Sequence, residues 1–316
     1  MDHSGHGMTM DLPPFTLGRG LQWSAEPFFL VACLLGLALY GWGVVRLRRR
    51  GDGWPVGRTV SFVAGVLTIG IMMCTKLNDY GMVMFSVHMV QHMVISMLSP
   101  ILILLGAPIT LALRALPPAA RGHKGPRELL LALLHSRYMR IVTHPVFTIP
   151  LFIASLYALY FTPIFDFLMG SQPGHIAMMV HFLATGLVFF WPIIGVDPGP
   201  HRPGHLMRML ELFAGMPFHA FFGIALMMAS TPMVATYADP PASLGIDALA
   251  DQNAAGGIAW AFSEIPSVLV LIALLFQWHA SEQRQARRKD RAADRDGDKE
   301  LEAYNAYLAS LNARTR

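Results

Sequence analysis

The sequence predicts an all-α polytopic membrane protein with seven transmembrane helices, its N-terminus outside and its C-terminus inside. Three observations carry that prediction. The 316 residues are 54% hydrophobic and only 14% charged, where a soluble domain carries about 25% charged residues. Seven apolar runs reach spanning length, about 20 residues for a helix. The Lys and Arg residues also alternate from loop to loop as the positive-inside rule demands.

The runs lie at 26–46, 57–76, 81–106, 146–168, 174–196, 206–233 and 256–279. Each is expected to be helical, because hydrocarbon offers backbone groups no partner outside the segment itself. Ahead of them, residues 1–24 form a His/Met-rich outer tail. It has no basic n-region followed by an apolar run, so the first span is expected to act as the insertion signal. Span 1 ends in Arg46, Arg48, Arg49 and Arg50, and Arg58 opens span 2. The loop after span 3 carries Arg114, Arg121, Lys124, Arg127, Arg137 and Arg140. Within it, "PRELLLALLHSRYMR" at 126–140 is amphipathic and reads as an interfacial helix. Arg202 and Arg208 mark the loop between spans 5 and 6, and the charged cytoplasmic tail, 281–316, holds nine more Lys and Arg. The opposite loops have only Arg19 and Lys76, beside Asp79, Asp166, Asp239, Asp247 and Asp251. The membrane domain is therefore 25–280. The net charge of +4 is a topology signal and gives no reason to expect a nucleic-acid partner. Cys33 and Cys74 cannot build a disulfide framework. Pro100, Pro163, Pro192, Pro217 and Pro266 are expected to kink spans 3 to 7. Gly215 and Gly223 flank His219 and leave room for a neighbouring helix.

The chemistry concentrates in "HMVQHMVISMLSP", residues 88–100. At helical spacing Met84, His88, Gln91, His92, Ser96 and Ser99 share one face, with Val90, Val94, Met97 and Ile101 opposite, towards lipid or an apolar neighbour. Polar residues in a span cost free energy, face the bundle interior and mark function. With the orientation above, His88 and His92 lie in the outer half of span 3. His175 falls at the rim of span 5 with His181 below it, His219 lies near the middle of span 6, and Trp260 and Glu264 lie in the first turns of span 7. His123, His135, His144, His201, His205 and His279 read as ordinary loop and interface residues. A buried carboxylate such as Glu264 must be protonated or paired with a charge or a metal. Asp251 reads either as part of the same site or as a capping residue.

Imidazole suits copper, zinc, iron and nickel, and thioether selects Cu(I). The outer tail adds His3, His6, Met8 and Met10, a short metal-capturing tract on the same side as the buried candidates. That agreement places copper, as Cu(I), above zinc. The candidate metal ligands are His88, His92, His181, His219, Glu264, Asp251, Met84, His3 and His6. Two other readings stay open: a haem-binding membrane protein with axial histidines, and a zinc-dependent membrane hydrolase with Glu264 or Asp251 as base. A retinal protein is disfavoured because span 7 has no lysine.

A set of motifs adds to this reading: "HMVQHM" followed by "SPILILLGAP", then "HFLATGLVFFWPIIGVDP", "MPFHAFFGIAL" and "DQNAAGGIAWAFSE". In order and spacing, over about residues 55 to 280, they resemble the multi-spanning CtaG-type cytochrome c oxidase assembly factors of bacteria. The resemblance implies a seven-helix fold in the bacterial cytoplasmic membrane. It implies a non-enzymatic role in oxidase maturation, delivering copper to an oxidase subunit, with an outer-side copper chaperone as a further partner beside the lipid bilayer. It points to His88, His92, His181, His219, Asp251, Trp260 and Glu264. The single-span copper chaperones that share the CtaG name use a Cys pair in a soluble domain, and nothing here resembles them.

Overall fold

In the computed structural model, residues 12–120, 123–201, 203–296 and 299–314 are described. They fall into two compact units divided after Leu269. The described residues are mostly helical, and apart from a few shorter turns the helices are α1 Pro27–Arg49, α2 Val56–Met73, α3 Phe85–Met93, a π-helical segment Val94–Leu98, α4 Ser99–Leu105, α5 Pro108–Ala115, α6 Pro126–Leu134, α7 Arg137–Val142, α8 Pro145–Tyr160, α9 Ile164–Met169, α10 Gln172–Ile194, α11 His205–Met228, α12 Ala248–Asp296 and α13 Lys299–Arg314. The second unit, from Val270 on, comprises the later part of α12 and α13. Strand pairing among the described residues is confined to an isolated bridge, Trp23 with Thr75.

Six of these segments are long and apolar enough to cross a membrane. They include all the expected runs except the fourth. There α8 has only 16 residues, about 24 Å of helix against a hydrocarbon core of about 30 Å. The expected single run over 146–168 is broken after Tyr160, and Pro163 stands at the start of the short helix α9. Proline supplies no backbone donor and cannot continue a helix from the preceding turn. The expected interfacial helix is likewise two pieces, α6 and α7, with the Ser136 hydroxyl accepting from the Met139 N–H to start the second.

The polypeptide from Phe85 to Leu105 is the central rod of the first unit. It packs against α2 on one side and α10 on the other. Its apolar face is largely buried: Val94, Met97 and Ile101, expected to face lipid or an apolar neighbour, are 5%, 3% and 6% exposed. By contrast α1 presents Leu34, Leu35 and Leu39 at the surface, which is what a hydrocarbon-facing helix shows. The π-helical segment has a local cause. Pro100 has no N–H to give the Ser96 carbonyl four residues back, and its ring would clash with that carbonyl in a regular helix. The turn widens instead, as π-bulges do. The Ser96 carbonyl then lies so close to Gly186 of α10 that a Cβ there would collide with it.

Two apolar clusters anchor opposite ends of the rod. One joins Tyr40, Trp54, Phe62 and Leu111, where the Tyr40 hydroxyl donates to the Gly106 carbonyl at 2.8 Å. The other joins Leu77, Tyr80, Met84, Val87 and Leu244. At the α11–α12 contact, a Cβ on Gly223 would come 2.5 Å from the Gly256 carbonyl. Gly215, the other expected small residue, lies against the Phe189 ring.

Candidate functional site

The start of α3 sets the site. Four N–H groups at a helix N-terminus have no partner within the helix. Here Asp251, from the first turn of α12, supplies acceptors across the bundle: Oδ2 takes the Phe85 N–H at 2.6 Å and Oδ1 the Ser86 N–H at 3.3 Å. Asp251 is thus a cap on the helix that bears the histidines, and both its oxygens are committed to that task.

Three residues after Phe85, His88 is fully buried. Its Nε2 lies 2.9 Å from the hydroxyl of Tyr160, the last residue of α8. Its Nδ1 is buried without a partner. Phe165, at a ring-centre distance of 5.0 Å, Tyr237 and Phe182 surround the imidazole. His175, from the first turn of α10, brings its ring centre to 6.4 Å from that of His88. It is 3% exposed, and its Nε2 has no partner.

One turn along α3, His92 is 3% exposed and neither ring nitrogen has a partner. The edge of Phe182 lies against it, with ring centres 4.1 Å apart. His219, equally buried in the middle of α11, places its ring centre 6.3 Å from that of His92. Between them lies a cavity of about 10 Å³ lined by His92, Ser96, Ser155, Thr185 and His219, close to the space one water occupies. The Ser96 hydroxyl is also buried without a partner.

The other candidates take different positions. His181 was expected to point into the bundle. It is exposed, with Nε2 2.9 Å from the Ser155 hydroxyl. The buried face of α10 runs through His175, Met178, Met179, Phe182 and Thr185, and residue 181 falls at its edge. Glu264 was expected to be a buried carboxylate. It is exposed and accepts from the Trp260 indole N–H at 3.0 Å, one turn earlier. The buried side of α12 there is Ala259, Ser263 and Ser267. Met84 is buried in the apolar cluster with Tyr80 and Val87. His3 and His6 lie outside the described residues. Among the described residues no group of three His, Cys, Asp or Glu side chains is arranged around one ion, so the histidines meet as pairs. Sequence reasoning missed His175 as a partner of His88, and missed Tyr160. A tyrosine closing an apolar helix and a histidine six residues before His181 were the available signals.

At the opposite end of the bundle lies a larger polar cavity of about 200 Å³ lined by Thr143, Trp191, Asp197, His201 and Arg208. Beside it is a second of about 210 Å³ reaching His144 and Glu211.

No solved structure matches the chain. Uncharacterized proteins of Mycobacterium bovis and Mycobacterium tuberculosis are each 44% identical to it over 98% of its length, and one of Mycobacterium leprae is 46% identical over the same share. The chain spans about half the length of these relatives, 47% to 48%. A profile of the family described as "Cytochrome c oxidase caa3 assembly factor (Caa3_CtaG)" matches residues 38–281, which contain every histidine of the buried pairs. The chain belongs to the cytochrome c oxidase caa3 assembly factor family.

Proposed function

We propose that the protein holds copper on its buried histidines and passes it to a cytochrome c oxidase subunit during assembly, without catalysing a reaction. The observation that carries this reading is the set of buried imidazole nitrogens without partners on His88, His92 and His175. Buried polar groups are nearly always hydrogen-bonded, and leaving one unsatisfied costs about 1–3 kcal/mol. A fold that keeps several in one place, on a helix capped by Asp251 from across the bundle, is built to receive a partner. Neutral imidazole in an aromatic surround suits a soft transition-metal ion. The space beside His92 and His219 is far too small for haem. The zinc-hydrolase reading loses its base, since Asp251 is a helix cap and Glu264 lies on an exposed face.

In this reading the protein sits in the bacterial cytoplasmic membrane, with the α3 N-terminus towards the outer side. Copper arrives there from the His3/His6 tail or from an outer-side chaperone. It leaves by exchange onto an oxidase subunit docked in the bilayer.

The test is His92→Ala in the host, with the membrane level of the protein matched. Copper bound to the purified protein is expected to fall by about half or more, and oxidase activity at least tenfold. Normal oxidase activity with a correctly inserted variant would overturn the reading.

A further inference from the structure

Resting on the copper reading above, we propose that the bundle holds two Cu(I) ions, one between His88 and His175 and one between His92 and His219. The ring-centre separations carry the assignment: 6.4 Å for the first pair and 6.3 Å for the second. Two imidazoles sharing one ion in line place their ring centres about 6.4 Å apart, from two metal–nitrogen bonds of about 2.0–2.1 Å and roughly 1.15 Å from each nitrogen to its ring centre. Both pairs already stand at that spacing. Two nitrogen donors per ion is a linear set, which a d¹⁰ monovalent ion such as Cu(I) accepts and zinc, which takes four ligands in structural sites, does not.

The first pair also has its supporting hydrogen bond. Metal-binding histidines donate their second N–H to an oxygen that fixes tautomer and orientation. When His88 donates Nε2–H to Tyr160 Oη, its partnerless Nδ1 keeps the lone pair a metal needs. Aromatic rings enclose both pairs: Phe165 and Tyr237 beside the first, Phe182 and Phe152 beside the second. His88 and His92 are one turn apart, about 6 Å along the axis, and Tyr160 lies against both, with ring centres 6.0 and 5.7 Å away. Transfer from one pair to the other is ligand exchange at neutral imidazoles. Copper stays Cu(I), no electron moves and no proton is released.

The purified full chain with the outer-tail ligands removed (His3→Ala, His6→Ala, Met8→Ala and Met10→Ala), loaded with Cu(I) under reducing conditions or with Ag(I), is expected to bind two ions. His175→Gln and His219→Gln should each retain one ion, and the double variant none. Tyr160→Phe should keep both ions but weaken one of them by about 10- to 100-fold, the usual cost of losing such a supporting group. X-ray absorption on the same tail-substituted chain, its bundle residues unchanged, should show two nitrogen neighbours per ion at about 2.0–2.1 Å and no sulfur, an outcome independent of whether any bundle variant folds. A single ion lost in both His175→Gln and His219→Gln, or a shell of three or more ligands, overturns the two-ion arrangement while leaving the copper reading standing. No tight Cu(I) or Ag(I) binding by the unmodified protein overturns both.

Discussion

Two ends of the helical bundle carry clusters of histidine and carboxylate, and they are built on opposite plans. At one end, His88, His92, His175 and His219 are buried among aromatic rings, and His92 and His219 line a cavity of about 10 Å³. At the other, His144, His201, Glu211 and Arg208 line cavities of about 200 Å³. Both ends use the same device to hold a helix start. Asp251 accepts from the first N–H groups of α3. Asp197 accepts from the Ile109 and Thr110 N–H groups and the Thr110 hydroxyl at the start of α5. The difference lies in what the capped helix carries. Behind Asp251 come two histidines with partnerless nitrogens, in a space that admits an ion and little else. Behind Asp197 comes a helix without titratable groups in its first turn, beside room for a small molecule. The bundle commits one end to a small tightly enclosed guest and leaves the other open.

That comparison can be broken first at the caps. Asp251→Ala and Asp197→Ala each remove a cross-bundle cap, and each should lower stability by about 1 kcal/mol, the usual worth of a helix N-cap. A thermal-shift measurement in detergent reads this. Only Asp251→Ala should also weaken Ag(I) retention, several-fold, because only its helix bears the histidines. Equal loss of Ag(I) in both variants would mean that the ends are not separate.

A smaller effect is expected from the outer tail. Residues 2 to 10 hold His3, His6, Met8 and Met10 among Gly and Ser, so binding must order the chain at an entropic cost, while tethering raises the local copper concentration. Deleting them should reduce oxidase assembly a few-fold when copper is scarce and hardly at all when it is plentiful. Complete loss at both copper levels would make the tail an obligatory ligand or docking element.

The smallest effects belong to His181→Ala and Glu264→Gln. Both side chains are exposed and bonded to a neighbour, Ser155 and Trp260. Each variant should keep the bound-metal count of the unmodified protein. Loss of an ion from His181→Ala would show that the Ser155 contact rearranges to bring this imidazole into the cavity.

How much was legible in advance differs from residue to residue. The His88/His92 stripe was readable because i and i+4 must share a face on any helix. Its burial followed from the high cost of polar groups in a span. The same logic failed for Glu264. Periodicity places a residue on a face, yet only the packing of α11 against α12 through Gly223 and Gly256 decides which face of α12 is inside. His181 failed by one position, since the buried stripe of α10 passes through Phe182. Asp251 was open between ligand and cap because its acceptors serve a helix 165 and 166 residues earlier in the chain, a pairing that local spacing does not encode.

The sequence by itself determined that the chain is a helical membrane protein and that its chemistry sits on one central span. Hydropathy, the positive-inside bias and the helical repeat are local physical rules that each segment obeys alone. Only the tertiary structure decided the partners: His175 with His88, His219 with His92, Tyr160 between them, and Asp251 holding the helix start. Those contacts join residues from α3, α8, α10, α11 and α12. Their choice rests on which helix faces pack, set by glycines that let backbones touch and by Pro100, which widens the turn after His92.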